Sequence, residues 1–190
     1  MCKRTSSDSA PSPRRTDPSN RLRAIDIATF AMLGAMMFAS KLIMEALPNI
    51  HLLGLFIVAT TVVYRRRALY PIYVFVLLQG LFGGFTIWWI SYLYVWTVLW
   101  GMVMLLPRRM PLKVGAVVYP LVAGVHGLLF GVLCAPVQAL FFGLDVQGTL
   151  AWIAAGFWFD IIHAVSNVCA GLLIVPLVLL LRRLSHRREK

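Results

Sequence analysis

The sequence predicts an all-α integral membrane protein of six transmembrane helices with both termini in the cytoplasm, and three observations predict it. The first is composition: 60% of the residues are hydrophobic and 13% are charged, with a mean hydropathy of +0.81, a balance that soluble domains of this size rarely show. The second is the placement of positive charge. Lys3, Arg4, Arg14, Arg15, Arg21 and Arg23 precede the first apolar run. Three further clusters follow, at Arg65, Arg66 and Arg67, at Arg108, Arg109 and Lys113, and at Arg182, Arg183, Arg187, Arg188 and Lys190. The third is spacing. Lys and Arg are retained on the cytoplasmic side of a bilayer, so with all four clusters inside, each interval between them crosses an even number of times. Intervals of roughly 40 to 70 residues each hold one out-and-back pair at about 20 residues per helix.

The elements follow in order. Residues 1–23, rich in Ser, Pro and Arg, read as a disordered basic cytoplasmic tail, residues 24–184 as the six-helix membrane domain, and residues 185–190 as a second basic cytoplasmic tail. No small-residue cleavage site follows the first apolar run, so helix one, over 24–46, is expected to be an uncleaved anchor. It ends at Leu47-Pro48-Asn49, a turn signal on the outer face. Helix two is expected over 50–64 and is short. Helix three is expected over 68–84 and helix four over 90–106, with an aromatic outer loop at 85–92 suited to the membrane interface. Pro107 and Pro111 bracket the next inner turn. Helix five is expected over 114–142 with kinks at Pro120 and Pro136. After an outer turn at 143–149, helix six is expected over 150–184.

Composition and motifs narrow the function classes. The net charge of +11 is an inner-leaflet signature here and does not imply nucleic-acid binding, because no basic soluble domain exists to carry it. The three cysteines (Cys2, Cys134, Cys169) have neither metal-ligand spacing nor a paired disulfide framework, and no metal or cofactor is expected. A Gly-rich phosphate loop, a His-Glu-x-x-His pair and a Gly-x-Ser-x-Gly elbow are all missing from the sequence. The chain is therefore not expected to be an enzyme or to hydrolyse nucleotide by itself. Work against a gradient would draw on a partner or a coupled ion.

Ionisable groups inside a bilayer are costly and are functional candidates by default. Lys41 and Glu45 are four apart on helix one and share a face near its outer end. Asp160, His163 and Asn167 fall at i, i+3 and i+7 on helix six and so form one stripe. Gln79 and Gln138 lie in the outer halves of helices three and five, and His51, Trp88, Trp89, Tyr92 and Tyr94 border the same side. Together they outline a pocket open to the outside, with a cation, carboxylates, amides and aromatics that suit a small polar compound with a flat ring. A purely structural reading stays open beside this one. Lys41 and Glu45 would then be an intrahelical ion pair with Lys41 snorkelling outward. Asp160 and His163 would be an interhelical pair, His126 a packing residue between Gly124 and Gly127, and the tryptophans interface anchors.

On helix one, Ala24, Ala28, Ala31, Ala35 and Ala39 recur at spacings of three and four around Gly34, a stripe that lets another helix approach closely, within the chain or from a partner. The Ala31-x-x-x-Ala35 pair, the Pro48-Asn49 turn after helix one and the Ala164-Val165-Ser166-Asn167 stretch on helix six occur in a six-helix chain of this length with cytoplasmic ends. In this combination the chain resembles the S components of energy-coupling factor transporters, over roughly residues 24–184. The resemblance implies a multi-pass cell-membrane subunit that captures a vitamin-like compound from the outside. It implies docking through Ala31 and Ala35, with Ala39 on the same stripe, onto a membrane scaffold, the T component, which carries two cytoplasmic ATPases. It also implies gating by the segments around Pro48, Asn49 and His51 and around Trp88. Ligand residues vary with substrate in that family, so Lys41, Glu45, Gln79, Trp89, Tyr92, Gln138, Asp160, His163 and Asn167 stand as candidates on the sequence reading alone. Two alternatives remain: a small membrane enzyme using Asp160 and His163 as an acid–base pair on a lipid-linked substrate, and a ligand-free accessory subunit.

Overall fold

The computed structural model describes residues 23–47 and 49–186; most of the N-terminal tail (1–22), Pro48 and residues 187–190 lie outside the described residues. Helices account for nearly all of it, with no strand among the described residues. They are α1 (Ala24–Ile43), α2 (Leu53–Tyr64), a 3-10 turn (Arg65–Ala68), α3 (Leu69–Gly83), α4 (Ile87–Met104), α5 (Leu112–Leu128), α6 (Phe130–Phe142), α7 (Val146–Gly171) and α8 (Ile174–His186). Four stretches are long and apolar enough to cross a membrane: Ala24–Ile43, Ile87–Met104, the α5–α6 rod Leu112–Phe142, and Val146–Gly171.

The short helix α2 is the centre of the bundle. It is apolar on every side, and Leu53, Gly54, Leu55, Ile57, Val58, Ala59, Thr60 and Thr61 are all buried, as expected of a helix enclosed by protein. It packs against α4, α5, α7 and α8, with Ile174, Val178 and Leu181 of α8 supplying a buried stripe at helical spacing. Its buried hydroxyls are absorbed locally: Thr61 Oγ1 donates to the Ile57 carbonyl at 2.6 Å. Around this centre, α1 lies on α3, where a Cβ at Gly34 would meet Val74 Cβ at 2.6 Å and the Pro71 carbonyl at 2.8 Å. Hydrogen bonds from Trp89 Nε1 to the Val76 carbonyl (2.8 Å) and from Tyr73 Oη to the Leu93 carbonyl (3.0 Å) join α3 to α4. Large apolar side chains such as Met32, Leu81, Leu121, Leu140 and Trp158 face outward, the arrangement of a protein whose surroundings are hydrocarbon.

Several expected boundaries are corrected. Helix one stops at Ile43, so Glu45 sits in the turn beyond it, exposed. Helix two begins at Leu53, three residues late, because the loop needs its own backbone: Asn49 takes φ 58°, which Asn tolerates better than most residues. Helix four begins at Ile87. Gly84, at φ 87°, turns the chain so tightly that the aromatic loop shrinks to three residues, and Trp88, Trp89 and Tyr92 stand on the helix. The single helix expected over 114–142 is interrupted at Leu129, whereas Pro120 and Pro136 lie inside α5 and α6 without ending them. At that point a side chain from another helix enters the ladder: the Gly131 N–H donates to Asp160 Oδ1 at 3.0 Å, a recognised cause of helix bending. The last helix starts four residues early, because Asp145 accepts the Gly148 N–H at 2.7 Å as an N-cap, and it divides at Leu172–Leu173 into α7 and α8.

Candidate functional site

The site begins with α7. Among its described residues, those buried are Asp160, His163, Asn167 and Gly171, the polar stripe expected from sequence extended by one small residue. Close packing against α5 holds this face inward. A Cβ at Gly127 would lie 3.0 Å from Ala164 Cα and 2.9 Å from Asn167 Nδ2, and a Cβ at Gly54 would lie 2.6 Å from Asn167 Oδ1. Asn167 is thus clasped between α2 and α5, where its Nδ2 donates to the Ala123 carbonyl at 3.2 Å. At the other end of the stripe Asp160 is fixed by Gly131 at the start of α6, where a carboxylate also meets the positive end of the helix dipole.

His163, between these two anchors, has no such fixing. It is 1% exposed, and neither ring nitrogen has a hydrogen-bond partner among the described residues. Its ring packs edge-on against His51 (centroids 4.7 Å apart) and Phe130 (4.8 Å). Trp96 lies beside them, 5.9 Å from His51, 5.8 Å from Phe130, 5.8 Å from His126 and 5.4 Å from Tyr92. Trp96 Nε1, His126 Nδ1, His51 Nδ1 and Asn167 Oδ1 are also buried without a partner among the described residues. The carbonyl of Val95 accepts a hydrogen bond from His126 Nε2–H at 3.0 Å, so in the neutral ring His126 Nδ1 is an acceptor. Buried polar atoms are nearly always bonded, and among the described residues the exceptions are concentrated around one indole and three imidazoles.

Above this layer a cavity of about 220 Å³ opens at the end of the bundle where α1 stops, lined among others by Lys41, Glu45, Asn49, His51, Trp88 and Tyr92, with Phe130 shared with the layer below. His51 therefore belongs to both cavity and layer. It lies in the loop before α2, where burial, and after it the Lys41 ammonium, lower its pKa to about 4, so the ring is neutral near pH 7. The loop is tied to α7 by the Asn49 Nδ2 donation to the Phe159 carbonyl at 3.3 Å.

The structure thus brings together Lys41, Glu45, Asn49, His51, Trp88 and Tyr92 in the cavity, with His163 and Asn167 beneath. Lys41 and Glu45 form no ion pair among the described residues, because Glu45 has left the helix that would hold the i, i+4 geometry. Gln79, Trp89 and Gln138 do not line the cavity: the Gln79 amide lies over Gly83, Trp89 is committed to the α3–α4 hairpin, and Gln138 is buried with Nε2 unpartnered. Asp160 and His163 are not hydrogen-bonded to each other among the described residues. Pro48 lies outside them. Sequence reasoning passed over Phe130, which carries no polar signal, and Trp96. The latter had one: it stands in mid-helix, away from the interface where membrane tryptophans ordinarily gather. In chemical terms, aromatic faces with both donors and acceptors at their edges suit a flat, nitrogen- or oxygen-bearing ring, and the charged pair at the mouth suits polar substituents.

Compared with known proteins, the chain matches no family model, no curated protein and no solved structure.

Proposed function

We propose that this chain is the substrate-capture subunit of an energy-coupling factor transporter in the cell membrane. On this reading it binds a small, flat, vitamin-like compound from the extracellular side and docks on a membrane scaffold driven by two cytoplasmic ATPases. The observation that carries the reading is the cavity of about 220 Å³ seated on unpartnered buried imidazoles, since polar groups held inside a membrane protein without partners are maintained at a cost. Two others support it. The four basic clusters support an inner-side location for both termini and the Arg65–Arg67 turn. The α2–α3 hairpin then makes two further crossings, α2 being short because protein rather than lipid surrounds it, and the total is six. Ala31, Ala35 and Ala39 are exposed on α1, which leaves the small-residue stripe open to a partner helix.

The test is affinity purification of the tagged protein from its own host in mild detergent, read by mass spectrometry. The reading expects one membrane scaffold and two ATPase subunits to co-purify, and to be lost when Ala31→Leu and Ala35→Leu are combined. Co-purification of the same proteins with that double variant would contradict the docking role, and isolation of the chain alone under crosslinking would contradict the transporter reading.

A further inference from the structure

Carboxylates are few in this chain, and among the described residues all but one are committed within the fold. Asp26 pairs with Arg23 at 3.6 Å, Asp145 accepts the Gly148 N–H, and Asp160 accepts the Gly131 N–H. Glu45 is the exception: its side chain has no ion pair or hydrogen bond among the described residues. Lys41 stands apart in the same way. Every other described Lys or Arg belongs to one of the four basic clusters, and the Lys41 ammonium has no ion pair or hydrogen bond among the described residues.

These two uncommitted charges line one cavity, that of about 220 Å³. Lys41 is half-buried in the last turn of α1. Glu45 is exposed in the turn that follows, its N–H bonded to the Leu42 carbonyl at 3.2 Å. Four residues apart, the two side chains start from neighbouring turns of the backbone, so both can reach groups borne on a single carbon. A half-buried ammonium without a counter-charge is unfavourable, and an added carboxylate satisfies it. Glu45, within Coulombic reach of the Tyr92 hydroxyl, offers the complementary place for an ammonium. Trp88, Tyr92 and Phe130 give the cavity an aromatic wall, suited to a planar ring and to a cation beside it. His51 Nδ1, buried and without a partner among the described residues, adds one further hydrogen-bonding position.

We infer that the cavity takes an α-amino acid with a flat side chain, its carboxylate on Lys41, its ammonium on Glu45 and its ring against Trp88, Tyr92 and Phe130. The inference rests on the capture reading above and narrows it to a zwitterion. A ligand with only one of the two charges would leave either Lys41 or Glu45 unanswered, whereas a zwitterion matches both and adds no net charge to the site.

The experiment titrates the purified full chain in mild detergent, by isothermal calorimetry, with three compounds that share one ring and differ in charge: phenylalanine, 3-phenylpropionate and 2-phenylethylamine. Wild type is expected to bind phenylalanine about tenfold or more tighter than either analogue, the scale of one charge-assisted hydrogen bond. Glu45→Gln should erase the advantage over 3-phenylpropionate, and Lys41→Gln the advantage over 2-phenylethylamine. Lys113→Gln removes an exposed cation that does not line the cavity and should preserve both. Because Glu45 is exposed, its variant keeps the test decisive if Lys41→Gln fails to fold. An analogue that binds wild type as tightly as phenylalanine does, an advantage that survives the matching substitution, or no binding of phenylalanine at millimolar concentration would overturn the inference. Failure of the capture reading is a separate result: the chain would be isolated without scaffold or ATPases under crosslinking, whatever the three compounds do.

Discussion

Helices α1 and α7 are both long enough to cross a membrane, yet they bury opposite chemistry. The inner face of α1 consists of Thr29, Phe30, Leu33, Gly34 and Met37, while Ala28, Ala31, Ala35 and Ala39 are left exposed. The inner face of α7 is Asp160, His163, Asn167 and Gly171, and its aromatic and aliphatic residues, among them Phe157, Trp158 and Val165, face out. In hydrocarbon there is no hydrophobic gain in turning an apolar face inward, so α1 is held by close packing and α7 by polar fixings as well. The contrast continues within α7. Asp160 and Asn167 are bonded to the backbone of neighbouring helices, and the imidazole between them has no hydrogen-bond partner for either nitrogen among the described residues. Its two flanking residues position it, and α1 keeps its small residues on a surface that no other described residue covers.

The largest expected effect breaks the α7 side of this comparison. Gly127→Leu would drive a side chain into the Ala164 backbone and the Asn167 amide and should destabilise the protein by about 3 kcal/mol, seen as a loss of monodisperse protein on size-exclusion chromatography. Ala35→Leu, the matching change on α1, should leave thermal unfolding in detergent unaltered, because Ala35 is exposed. Next comes the central imidazole. His163→Phe replaces a buried, unpartnered polar ring by an apolar one and should raise stability by about 1 kcal/mol, while weakening ligand affinity by about tenfold or more. A fall in stability would show instead that His163 is a structural residue.

Asp160 sharpens the distinction between holding and contacting. Asp160→Asn keeps an oxygen for the Gly131 N–H and should cost about 1 kcal/mol or less, whereas Asp160→Leu leaves that N–H unsatisfied and should cost about 2 kcal/mol, both measured by thermal unfolding. The smallest effect is in pH. His51 is lowered to about 4 in the folded protein, so the unfolded chain takes up the proton first as acid is added. Stability contributed by the neutral ring is present above pH 6.5 and declines as the pH falls toward 4. The melting temperature should therefore drop over that window, and His51→Gln should remove part of the slope.

Much of this was legible in the sequence, and the reasons differ by region. The apolar runs, the basic clusters and the i, i+3, i+7 stripe on α7 are periodic signals, and periodicity survives translation into a helix face. The ends of helices were harder. Gly84, Asn49 and Asp145 set them through backbone geometry and a single cap, and the interruption at Leu129 depends on a carboxylate that bonds Gly131 from 29 residues further along the chain, which no local pattern encodes. Within the site, Lys41, Tyr92 and His163 were found because polar or aromatic groups in an apolar run stand out. Phe130 was missed because it does not. Gln79 and Trp89 were grouped with the cavity because they fall at its level along their helices, but level does not specify direction: the Gln79 amide lies over Gly83, and the Trp89 indole joins α3 to α4.

The central claim is that the imidazole layer beneath the cavity of about 220 Å³ holds a small molecule. The most direct measurement is to purify wild type and His163→Phe side by side from their own host's membranes, denature both, and identify the small molecules released by mass spectrometry. The account predicts one flat, polar compound in roughly stoichiometric amount from wild type and its absence from His163→Phe. Release of the same compounds from both preparations, or of none from wild type loaded in complete growth medium, would contradict it.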